Sequence, residues 1–78
     1  MKAILNGKLY DTNKSVNLCN FFGHSVYKTN NGTLFMTYND GGALGEQISN
    51  VNYDEIKETI GRYCPDSYIL IFGKVEEA

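Results

Sequence analysis

Histidine occurs once in this chain, at position 24, and cysteine twice, at positions 19 and 64. His24 lies between Gly23 and Ser25; as a general base it would need a nucleophile and an orienting partner brought to it in space, and the sequence points to no such set, so it is expected as a solvated loop residue. The two cysteines stand 45 positions apart and show no CxxC or CxxH spacing, which removes the usual zinc signature. Cys19 and Cys64 are expected as free thiols that pack as small hydrophobes, a disulfide between them being disfavoured in a reducing compartment.

Basic charge is also scarce. Seven Lys and Arg against nine Asp and Glu leave a net charge of −2, and no stretch concentrates cations as contacts to a nucleic-acid backbone require. Nucleic acid is therefore disfavoured as a partner. No run approaches the roughly 18 apolar residues of a membrane span, and the opening MKAILNGK is interrupted too early for a signal-peptide core. No membrane association is expected, and the expected location is the cytoplasm. The glycine-rich GGALGE, residues 41–46, fits neither GxxxxGK[ST] nor GxGxxG and is expected as a flexible loop. No catalytic residue, metal or cofactor is therefore expected, and the chain is read as a non-enzyme.

With 42% hydrophobic and 21% charged residues, the 78-residue chain has an ordinary globular composition and material for one small core. A single domain over residues 1–78 is expected, with 73–78 as a frayed tail.

Turn chemistry is plentiful. Asn6-Gly7 between apolar arms predicts a type I′ hairpin over residues 2–11. Residues 11–20, DTNKSVNLCN, read either as a strand or as a ragged helical turn. The stretch SVYKTNNGTLFMTY, residues 25–38, gives the strongest hairpin signal: β-branched and aromatic residues fill both arms around Asn30-Asn31-Gly32, a three-residue loop. By the strand period of two, Leu34, Met36 and Tyr38 face one way and Thr33, Phe35 and Thr37 the other. Residues 39–50, rich in Gly, Asn and Asp, are expected as an exposed loop.

The period then changes. Tyr53, Ile56, Ile60 and Tyr63 recur at spacings of three and four, predicting a helix over 53–63. Asn52 is its N-cap and Glu55 completes a capping box, with Val51 placed to staple against Ile56. Asp54, Glu55 and Glu58 near its start and Arg62 in its last turn complement the helix dipole. Pro65 stops this helix. The composition of SYILIF, residues 67–72, prefers a strand, while Pro65-Asp66 followed by Gly73 reads as a short helix. The fold class is thus α+β: a small antiparallel sheet of two hairpins packed against one α-helix and a short C-terminal helix or strand.

For contact with another protein the candidates are Tyr27 and Tyr38, which offer large area at low entropic cost, and the acidic Asp40, Glu46, Asp54 and Glu58, suited to a basic surface. Three segments in order, NGKLYDT at 6–12, VYKTNNGTLFMTYNDGGA at 26–43 and a helical segment leading to FGKVEEA at 72–78, resemble small proteins encoded by phages and integrated mobile elements of Gram-positive bacteria. That resemblance implies a setting that includes inhibitors of host defence such as anti-CRISPR proteins, whose partner is a host protein such as a Cas effector. It also implies a helix before the FG motif, although YILIF is more apolar than the group's pattern. The alternative is a small nucleic-acid-associated or regulatory protein that uses an aromatic sheet surface, as a homodimer joined through sheet edges.

Overall fold

In the computed structural model, which describes residues Met1–Ala78, six strands form two antiparallel sheets and two helices complete an α+β fold. Strands β1 (Lys2–Leu5) and β2 (Lys8–Asp11) make a separate two-stranded sheet closed by Asn6-Gly7. Both turn residues have positive φ, 51° and 75°, as the sequence predicts. Residues 11–20 hold both of the structures left open for them. A 3-10 turn, Thr12–Lys14, is capped by the Asp11 carboxylate, which accepts from the Asn13 N–H at 2.9 Å, and β3 (Val16–Phe21) follows.

The second sheet runs β3, β4 (His24–Lys28), β5 (Leu34–Tyr38), β6 (Gln47–Asn50). Its middle pair is the predicted hairpin over 25–38, with Gly32 alone left-handed in the loop at φ 84°. Three expectations change. The two Asn-containing hairpins do not share a sheet; β4 instead pairs on its other side with β3 through a turn made by Phe22 and Gly23. His24 is consequently a strand residue, opposite Phe21 on one side and Tyr38 on the other. The segment 39–50 is loop only in its first part, because β5 pairs along its free edge with the short β6.

Strand β5 is buried on both faces, which is why both of its faces carry large side chains. Leu34 and Met36, with Val26 of β4, lie under Ile56 and Ile60 of α1 (Tyr53–Tyr63). On the other face Phe35 is wholly buried, stacked on Tyr27 at 5.3 Å and met edge-on by Tyr10 of β2 at 5.3 Å. Helices, sheet and the side chain of Tyr10 therefore form three layers.

Helix α1 begins where the sequence places it, with Asn52 Oδ1 accepting from the Glu55 N–H at 2.9 Å. The capping box is only half made: the Asn52 N–H donates to Asn50 Oδ1 at 2.7 Å rather than to Glu55. Residues 65–72, whose composition prefers a strand, are a helix, α2 (Pro65–Phe72). Pro65 occupies its first turn, where a missing N–H costs nothing, and the Gly73 N–H closes it on the Ile69 carbonyl at 2.9 Å with φ 98°. Gly61 lets the two helices approach, since a Cβ there would stand 3.3 Å from the Tyr68 ring. Residues 73–78 are exposed and form neither helix nor strand.

Candidate functional site

The β3–β4 turn stands at the opposite end of the β4–β5 hairpin from the Asn30-Asn31-Gly32 loop. Phe22 occupies its first position at φ 45°, a conformation that a bulky residue rarely adopts and that costs roughly 1–2 kcal/mol. Gly23 follows at φ 82°, and a Cβ there would lie 3.0 Å from the Asn39 carbonyl oxygen and 3.1 Å from the Tyr38 ring. The Asn39 N–H donates to the Gly23 carbonyl at 3.0 Å, so the turn is fastened to the end of β5.

Five rings form a continuous row across this end. Phe22 meets Tyr63 edge-on at 5.7 Å, Tyr63 stacks on Phe21 at 4.8 Å, Phe21 on His24 at 5.3 Å, and His24 leans on Tyr38 at 4.6 Å. The last turn of α1 supplies Tyr63; the other rings come from β3, β4, β5 and the turn between β3 and β4. Phe22 is 82% exposed, and Tyr38 and Tyr63 are also exposed. The His24 Nδ1, inside the row, is buried without a hydrogen-bond partner. A groove of about 630 Å³ runs beside the turn between Asn20, Phe22, His24 and Gly41. A second groove, about 250 Å³, lies on the other side of Tyr38 and is lined by Asp40, Leu44 and Ile48.

Of the six residues expected to meet a partner, the fold brings Tyr38 and Asp40 to this end. Tyr27 and Glu46 lie on the opposite sheet face and interact with each other: the Tyr27 hydroxyl donates to Glu46 Oε2 at 3.3 Å, and the buried Thr37 hydroxyl donates to the same atom at 2.7 Å. Burial, and next the Glu46 charge, push the Tyr27 hydroxyl above its ordinary 10.0. Asp54 and Glu58 are exposed on α1, outside its buried stripe of Ile56 and Ile60. None of Phe21, Phe22, His24 and Tyr63 is among the expected contact residues: His24 is expected as a solvated loop residue and Tyr63 as part of the α1 face, and the only signal for Phe21 and Phe22 is FFGH, a glycine-containing two-residue turn.

Other apolar side chains are exposed as well, including Leu70 on α2 and Ile4 and Leu9 on the first hairpin. In all, thirteen large hydrophobics are exposed while seven form the buried core. The aromatic end differs from these in being continuous over four elements and a turn. No three His, Cys, Asp or Glu side chains converge on a point that could hold a metal ion, and no helix is long and apolar enough to cross a membrane. No known protein family, curated protein or solved structure matches this chain.

Proposed function

We propose that this chain is a non-enzymatic binding protein of phage or mobile-element origin that acts in the host cytoplasm. On this reading it inhibits a host defence protein by direct contact, as an anti-CRISPR protein directed at a Cas effector. The observation that carries the binding role is Phe22, a large apolar side chain held in solvent on a left-handed backbone. Burial does not repay that conformation within the monomer. Covering Phe22, Tyr38 and Tyr63 with a partner does, because aromatic anchors at the centre of an interface supply most of its binding energy. Asp40 beside the ring row and the net charge of −2 suit a basic partner surface. The host setting rests on the resemblance carried by residues 6–12, 26–43 and 72–78.

The nucleic-acid alternative finds less support. Phe35, at the centre of the aromatic sheet face, is wholly buried with Tyr10 against it, so that this face presents no open platform for stacked bases. Both outer strands of the four-stranded sheet carry a register shift, β3 between Asn17 and Cys19 and β6 between Ile48 and Asn50 where it faces Met36 and Thr37 of β5, a feature that discourages pairing through sheet edges. Mixing the purified protein with Cas effector complexes tests the proposal: co-elution with loss of target cleavage is expected, and intact cleavage without co-elution would overturn it.

A further inference from the structure

Cys19 and Cys64 are far apart in the sequence and come together in the fold. Cys19 lies opposite Val26 in the β3–β4 ladder, and Val26 is wholly buried beneath α1. Cys64 is the single residue between α1 and α2, with its N–H on the Ile60 carbonyl at 2.7 Å. Both cysteines are free and half-buried, and both pack on the same cluster of Val26, Leu34, Met36, Ile56 and Ile60. We infer that Cys19 and Cys64 are a redox site, a thiol pair that closes to a reversible intramolecular disulfide joining β3 to the α1–α2 junction.

The neighbourhood supports this pairing. Burial, followed by the adjacent Cys64 thiol, pushes the Cys19 thiol from its ordinary 9.0 up to about 12. A small-molecule disulfide, RSSR, supplies the oxidising equivalents. One of the two thiols, for example Cys64, gives its proton to solvent and its sulfur attacks one RSSR sulfur, breaking the S–S bond, forming a mixed disulfide and releasing one RS⁻. Cys19 then gives its proton to solvent, and its sulfur attacks the Cys64 sulfur, expelling the second RS⁻. Two protein thiols are oxidised, one RSSR is reduced to two RSH, and no other electron acceptor is needed.

The consequence reaches the ring row without depending on its binding role. Phe21 is two residues beyond Cys19 and Tyr63 immediately precedes Cys64, so the bond ties together the two elements that carry the 4.8 Å Phe21–Tyr63 stack. It also closes a loop across 45 positions, long enough for a large loss of freedom in the unfolded chain.

Incubating the full chain with oxidised glutathione tests the inference by intact mass, alkylation and melting. The expected product is a monomer lighter by two hydrogen atoms, refractory to iodoacetamide, with a peptide linking Cys19 to Cys64. Its melting temperature should rise by roughly 10 °C and return to the starting value with dithiothreitol. Cys64→Ala should show no such rise and should end, at most, as a glutathione adduct on Cys19. Persistent alkylation of both thiols, stable adducts on both, intermolecular dimers alone, or a linked monomer with an unshifted melting temperature would each overturn the inference.

Discussion

Phe22 meets Tyr63 edge-on, ring centroids 5.7 Å apart, while its own backbone is held at φ 45°. The ring contact returns only part of the backbone cost. Phe22→Asn places a residue that tolerates the left-handed region at the same turn position. It should raise unfolding free energy in urea by about 0.5–1 kcal/mol, after allowing for the lost ring contact. A clear loss of stability would show that Phe22 is there for the fold.

Glu46 is assigned a structural role. Its carboxylate is the acceptor for the buried Thr37 hydroxyl, and Glu46→Ala orphans that donor beside the Tyr27 hydroxyl. A cost of about 1–3 kcal/mol is expected in chemical denaturation, with a smaller one for Glu46→Gln, which keeps an acceptor oxygen. Asp54→Asn and Glu58→Gln, on the exposed face of α1, should stay within about 0.5 kcal/mol of the parent protein.

Alkaline pH should destabilise the protein. The Cys19 thiol and the Tyr27 hydroxyl both bind their protons more tightly in the fold than at their ordinary values of 9.0 and 10.0. Their contribution is complete below those values and is lost as pH rises toward the folded values, about 12 for Cys19, because the unfolded chain then holds fewer protons than the native one. Melting temperature, level near neutrality, should begin to fall above about pH 9. Cys19→Ala should remove the earlier part of that fall and Tyr27→Phe the later part.

At the start of α1, Asn52→Ala removes a side-chain acceptor from the Glu55 N–H and should cost about 1 kcal/mol. Glu55→Ala should change stability by less than about 0.5 kcal/mol, because the Asn52 N–H is already satisfied by Asn50. Equal costs for the two variants in urea titrations would mean that a full capping box forms in solution.

The sequence made some elements legible because local chemistry alone specifies them. Asn6-Gly7 can occupy a left-handed turn whatever surrounds it, and the Tyr53, Ile56, Ile60, Tyr63 spacing permits one helix face. β6 was hidden because four residues within a Gly- and Asn-rich stretch become a strand only through pairing with β5. In α2 a short apolar run is compatible with either a strand or a helix, and Pro65, Gly73 and the packing of Tyr68 on Gly61 decide between them. The candidate site was half visible. Residue type points to Tyr38 and Asp40, but Phe22 breaks the usual turn preference and Tyr63 reaches the ring row only through the docking of α1.

Titrating the target-DNA cleavage of a Cas effector complex with the parent protein and with Phe22→Asn, both verified as folded, tests the role of the aromatic end most directly. The parent should inhibit near stoichiometry, and the variant, at least as stable, should need about tenfold more protein or fail altogether. Equal inhibition by the two proteins would contradict the assignment of the aromatic end as the contact surface, and cleavage unaffected by either would contradict the inhibitory role itself.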